Sequence, residues 1–173
     1  ESARLLEVLC ALKKPRRILE IGTAVGFSAL LMLHASPGTE EIITIDRYDF
    51  MINRAKENFK KAEAEDKIKL VEGQAADILP KIQGDFDLIF LDAAKGQYPR
   101  FLPHCLRLLA GGGVFITDNI LCGGIVAGYP LENRRDKTTV VRVNDFLDKL
   151  NSNDELYTSV LPVGDGMAVS VKK

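Results

Sequence analysis

Glu20-Ile21-Gly22-Thr23-Ala24-Val25-Gly26-Phe27-Ser28 joins two apolar runs, and its reading decides the fold. Residues 18 to 21, just before it, form a short apolar stretch that reads as a buried strand. Beyond its glycine-containing turn, an apolar helix is expected through Leu33, then a turn at Pro37 and Gly38, then a strand over residues 41 to 46. Strand, turn, helix and strand make one βαβ unit, the building block of a parallel sheet.

The alternation continues outward from this unit. Toward the start, Leu5, Leu6, Leu9 and Leu12 recur at helical spacing, and Pro15 ends the pattern. Toward the end come a polar helix from about 50 to 64, a strand at 68 to 72, a short helix near Pro80 and a strand at 86 to 92. A helix over 98 to 109 is expected to close on Gly111, Gly112 and Gly113 as a left-handed cap, before a strand at 114 to 117. These strands are continuously apolar, which implies burial on both faces. Residues 157 to 162 and 167 to 171 are two more strand-like runs, joined by Gly164-Asp165-Gly166 as a hairpin. The fold class is therefore doubly wound, Rossmann-like α/β, with an antiparallel hairpin closing a mostly parallel sheet. The long irregular stretch over 121 to 136 has a length common in functional loops.

Composition narrows the field. The chain has 173 residues, 46% of them hydrophobic, which suits one core, so residues 1 to 173 are read as a single domain with an N-terminal segment expected to precede Glu1. A net charge of -1 excludes a global basic field for nucleic acid. Cys10, Cys105 and Cys122 are scattered, without zinc-type pairs or disulfide density, so a reducing cytoplasm is expected. No apolar run approaches the roughly 18 residues of a membrane span and no signal-peptide pattern stands out, so no membrane partner is expected.

In a doubly wound sheet, ligands gather at the carboxyl ends of the strands. The first ends in Glu20 and Gly22, with Ser28 on the following helix, and the second ends in Asp46, placed to accept from ribose hydroxyls. Gly22 and Gly26 are three residues apart rather than in the G-x-G-x-x-G spacing, which favours a nucleoside without a pyrophosphate. A tight strand-to-helix turn alone would also account for both glycines. The third strand leads into Gln74 and Ala75, where the amide offers a donor and an acceptor to an adenine edge. The next two strands lead into Asp92, with Lys95 three residues on, and the pair Asp118-Asn119. Two carboxylates and an amide oxygen are hard ligands suited to Mg2+, Mn2+ or Ca2+. Helix capping by the two acids is the other reading.

Glu20-x-Gly22-x-x-x-Gly26-x-Ser28, Leu91-Asp92-Ala93-Ala94-Lys95-Gly96-Gln97-Tyr98, Thr117-Asp118-Asn119 and Pro162-Val163-Gly164-Asp165-Gly166 resemble, in order, the cation-dependent O-methyltransferase family of catechol and caffeoyl-coenzyme A enzymes. The resemblance implies S-adenosylmethionine as cofactor, contacted by Glu20, Gly22, Ser28, Asp46, Gln74, Ala75 and Asp92. It also implies a divalent metal on Asp92, Asp118 and Asn119, Lys95 as catalytic base, and a homodimer. Family members usually carry Glu at the place of Asp46, bacterial relatives often carry Asp at that of Gln74, and the additional substrate-side acid of animal catechol enzymes has no counterpart.

Within that family the chain looks most like the bacterial tRNA 5-hydroxyuridine methyltransferases, which implies the wobble base of a tRNA anticodon loop as acceptor. The C5 hydroxyl and C4 carbonyl of 5-hydroxyuridine are adjacent oxygens, as in a catechol, and an anticodon base can leave its stack. Arg134, Arg135, Lys137 and Arg142 would supply phosphate contacts, or else form the solvated face of a helix whose buried stripe is Val140, Val143, Leu147 and Leu150. A small catechol-like acceptor is the alternative, and a nucleotide-binding oxidoreductase module the distant one.

Overall fold

The computed structural model describes residues 1–127 and 134–173, without the side chains of 127 and 134–136. In chain order the elements are α1 (Ser2–Lys13), β1 (Arg17–Ile21), α2 (Phe27–Ala35), β2 (Glu41–Asp46), α3 (Asp49–Lys61), β3 (Ile68–Glu72) and α4 (Ala75–Ile78). They continue with β4 (Phe86–Leu91), α5 (Tyr98–Leu108), β5 (Leu109–Thr117), α6 (Arg134–Asn151), β6 (Leu156–Leu161) and β7 (Met167–Lys172). No helix among the described residues is long and apolar enough to cross a membrane.

The strands form one sheet in the order β3-β2-β1-β4-β5-β7-β6. β1, β2, β3, β4 and β5 are parallel, and β7 pairs antiparallel with both β5 and β6. The chain winds from β1 outward to β3, then crosses to β4 and winds the other way, so the order reverses between β1 and β4. A crevice opens at the carboxyl ends there. Both faces are covered, as the continuous apolar strands require. Leu6, Cys10, Ala29, Met32, Ala55 and Phe59 of α1, α2 and α3 pack on one face. Leu79, Phe101, Leu102, Cys105, Val143, Phe146 and Leu150 cover the other.

Two local expectations change. Gly111, Gly112 and Gly113 do not cap α5: that helix stops at Leu108, Leu109 is already extended, and the glycines lie inside β5. Phe86 pairs with Leu109 but Leu88 with Val114, so β5 carries extra residues that bulge out, with Gly112 at φ 68° in the bulge. The stretch expected to be irregular over 121 to 136 contains a 3-10 turn at Ile125–Ala127, and α6 begins at Arg134. On α6, Val143 and Leu150 are buried as the periodicity predicts, and Phe146 joins them by packing on Tyr98 and Phe115 at ring distances of 5.4 and 6.3 Å.

Candidate active site

Hydrogen bonds carry the sheet one residue beyond each strand. Gly22 N–H donates to Ile45 O at 3.0 Å, Asp92 N–H to Ile21 O at 3.0 Å, Gly73 N–H to Asp46 O at 2.7 Å and Asp118 N–H to Leu91 O at 3.0 Å. The first residues of four loops are thereby aligned along one edge of the sheet. Gly22 has φ 108°, and a Cβ there would lie 1.9 Å from the carbonyl oxygen of Asp92. Only glycine permits this approach at the switch point. Around it opens a cavity of about 790 Å³, whose wall includes Gly22, Ser28, Asp46, Gln74, Asp92 and Asp118. That is ample room for a nucleoside and a small acceptor together.

At the β1–β2 end, Glu20 was expected to touch the cofactor, but it is fully buried and does not line the cavity. Its position on β1 turns the side chain toward α2. There Ser28 Oγ donates to Oε1 at 2.5 Å and Thr44 Oγ1 to Oε2 at 2.5 Å, while Thr23 Oγ1 lies 2.6 Å from Thr44 Oγ1. Burial pushes the Glu20 carboxyl up to about 7 against the pull of the two hydroxyl donors, with Asp92 and Asp46 adding repulsion. Ser28 and Thr23 are the members of this chain that reach the cavity wall.

Asp46 does line the cavity. Its Oδ2 accepts Ala24 N–H at 2.8 Å, and its Oδ1 accepts the N–H groups of Arg47 and Tyr48 at 2.7 and 3.0 Å. Three backbone donors therefore fix the carboxylate, and ribose hydroxyls would share its oxygens. Gln74 and Ala75 also line the cavity, and Gln74 Oε1 accepts Arg47 Nη1 at 3.1 Å. Arg47 in turn donates to Tyr48 Oη at 2.6 Å and stacks 4.7 Å from the Tyr48 ring centre. Sequence reasoning missed this Arg47-Tyr48 clamp, whose one signal was its place immediately after the strand-ending acid.

The β4–β5 end is built from charges. Asn119 has φ 59°, and from that left-handed position its Nδ2 donates to Asp92 Oδ1 at 3.0 Å. Asp118 is 9% exposed, its Oδ1 accepts Asn119 N–H at 2.7 Å, and its backbone oxygen accepts Tyr98 Oη–H at 3.1 Å. Burial raises the Asp118 carboxyl, the Asn119 N–H and the Lys95 charge lower it, and Asp92 and Asp165 raise it further. Lys95 does not line the cavity, and its Nζ pairs with Asp165 Oδ2 at 3.0 Å. Asp165 lies within a quoted motif, but its partnership with Lys95 is visible only in three dimensions.

Two carboxylates and an amide converge here, although no cluster of three His, Cys, Asp or Glu side chains forms among the described residues. Turning the Asn119 amide over exchanges nitrogen for oxygen at the same place. The trio then becomes three hard oxygen donors with two negative charges, a set that fits a divalent cation. The tRNA expectation rests on other residues. Lys137 is exposed, Arg142 Nη1 donates to Gly96 O at 3.2 Å, and the side chains of Arg134 and Arg135 lie outside the described residues.

Comparison with known proteins gives a consistent result. Residues 1–173 match the profile of the O-methyltransferase family. A catechol O-methyltransferase of Niastella koreensis is 30% identical over 179 residues, covering 98% of this chain and 79% of its own. A caffeoyl-CoA O-methyltransferase of Populus kitakamiensis is 29% identical, covering 98% of this chain and 75% of its own. Among solved structures, the SAH-bound methyltransferase PaMTH1 of Podospora anserina superimposes with a TM-score of 0.89 at 30% identity, over 99% of this chain and 78% of its own.

Proposed function

The chain belongs to the O-methyltransferase family as an S-adenosylmethionine-dependent enzyme of the catechol and caffeoyl-coenzyme A type, and we propose that it methylates a small aromatic acceptor bearing two adjacent oxygens, with a divalent cation. The observation that carries the reading is the convergence of Asp92, Asp118 and Asn119 beside the cavity, at the carboxyl ends of two neighbouring strands.

S-adenosylmethionine, when bound, supplies an electrophilic methyl group on a sulfonium. A divalent cation, when bound, lowers the pKa of an acceptor hydroxyl and gathers two adjacent oxygens. The protein does the rest. Asp46 would accept from the ribose, Gln74 and Ala75 would meet the adenine edge, and Ser28, which donates to Glu20, would close the nucleoside end. Gly22 lets the backbone approach. Asp92, Asp118 and Asn119 would hold the cation, which would supply a fixed direction for the acceptor's two oxygens. Lys95 Nζ, once its own proton has passed to solvent, would take the hydroxyl proton, and the acceptor oxygen would form its bond to the methyl carbon as the carbon–sulfur bond breaks.

A small acceptor takes precedence over the tRNA wobble base because the relatives reported above bear the names of catechol and caffeoyl-CoA enzymes. 5-Hydroxyuridine keeps the same pair of adjacent oxygens, so tRNA containing it belongs in the same assay. With labelled S-adenosylmethionine and Mg2+, label is expected in a catechol or caffeoyl ester. Label only in tRNA would overturn the choice of acceptor while leaving the reaction type intact.

A further inference from the structure

Asp165 ties three segments of the chain together: the loop after β4, the loop after β5 and its own β6–β7 turn. We propose that Asp165 is a positioning residue for methyl transfer: one carboxylate oxygen holds the Lys95 amine in place, and the other fastens the loop that carries Asp118 and Asn119. This inference rests on the O-methyltransferase reading of the same site.

A lysine amine on a flexible four-carbon stem does not hold a position unaided. Among the described residues, Asp165 Oδ2 is the hydrogen-bonding and ion-pairing partner of Lys95 Nζ, at 3.0 Å. Both side chains are about a third exposed, at 30% and 29%, so the pair lies near the surface rather than in the deep core. Asp165 Oδ1 accepts Gly123 N–H at 2.7 Å, its backbone oxygen accepts Leu121 N–H at 2.8 Å, and Gly166 O accepts Ile120 N–H at 3.1 Å. The loop following Asn119 is thus bonded to the β6–β7 turn at successive residues.

The turn has no slack. A Cβ at Gly166, which has φ 83°, would stand 2.4 Å from Leu121 Cγ, and one at Gly164, which has φ 61°, would stand 2.3 Å from Ser2 Oγ. Wedged between the start of α1 and the loop, the turn fixes the direction in which Asp165 points. Whenever Lys95 carries a proton, its ammonium stands next to a carboxylate already in contact, so no group has to move to balance that charge.

The test is a double-mutant cycle with Asp165→Asn and Lys95→Met, read as kcat, acceptor KM, S-adenosylmethionine affinity and melting temperature. Asp165→Asn keeps an acceptor for Gly123 N–H and removes the charge opposite Lys95. We expect kcat to fall about tenfold or more, with KM and cofactor affinity within about twofold, and no further loss when Lys95→Met is already present. Wild-type kcat in Asp165→Asn, or two losses that multiply in full, would overturn the proposal. Asp165→Ser replaces the amide with the same expectations if Asp165→Asn lowers the melting temperature sharply. The acylation rate of Lys95 by an amine-reactive reagent, read by peptide mass spectrometry, separates this proposal from its premise. Should the wild type methylate nothing, the reading of function fails, and acylation about threefold or more faster in Asp165→Asn would still support the pairing, whereas equal rates would overturn it.

Discussion

The two ends of the crevice solve different problems. At the β1–β2 end, polar groups bond to one another: Thr23, Thr44 and Ser28 form a hydroxyl chain onto Glu20, and three backbone N–H groups hold Asp46. At the β4–β5 end the fold brings like charges together instead. Asp92 and Asp165 both act on Asp118, against the one opposing charge of Lys95, and Asn119 occupies a left-handed conformation to reach Asp92. An end satisfied by its own hydrogen bonds is a rigid receptor for a neutral nucleoside. An end in electrostatic conflict is suited to a cation, which converts that repulsion into binding.

Substitutions can break this contrast at graded cost. The largest effect is expected for Gly22→Ala, since its new Cβ would overlap a backbone carbonyl that cannot yield. It should destabilise the fold by more than about 4 kcal/mol, checked by denaturant unfolding, and a near-wild-type midpoint would argue against the close approach. Asp118→Ala should lower methyl transfer about a thousandfold while calorimetry finds cofactor affinity nearly unchanged, because this acid serves the charged end alone.

Glu20→Gln should act on pH dependence. The Glu20 carboxyl rises from its ordinary 4.5 to about 7 on folding, so between these values the folded state holds a proton that the unfolded state releases. The favourable contribution is therefore present below the unfolded value and is lost as pH rises through the folded one, on the order of 3 kcal/mol in all. Gln removes that dependence, so urea unfolding of both proteins at pH 5 and pH 8 should show the variant gaining on the wild type at the higher pH. Parallel profiles would contradict the buried-acid account. The smallest effect is expected for Asp46→Asn, which should weaken cofactor binding by about tenfold with little change in turnover at saturation.

The winding of the fold was legible because both-face burial writes continuous apolar runs into β1, β2, β4 and β5, with glycines and acids at their carboxyl ends. The bulge at Gly111 to Gly113 was not, because it follows from a register slip against Phe86 and Leu88, a property of two strands rather than one. At the site, the strand-ending residues Asp46, Gln74, Asp92, Asp118 and Asn119 stood out by position. Glu20 was read as a ligand contact because sequence spacing gives no face, and only the pairing of β1 with β2 sets it against Thr44. The Lys95-Asp165 pair spans 70 residues, and no local pattern encodes such a contact. α1 also lines the cavity through Ser2, Ala3 and Leu6, where its sequence displays only the periodicity of a packing helix.

In the proposed reaction one end of the crevice binds the cofactor by itself, and the other needs a cation to act. Its most direct test is to treat the wild-type protein with EDTA and measure, on the same sample, S-adenosylhomocysteine binding by calorimetry and methyl transfer to a catechol. The account predicts unchanged cofactor affinity, loss of transfer and recovery on adding Mg2+. Transfer that persists through chelation at its original rate would contradict it.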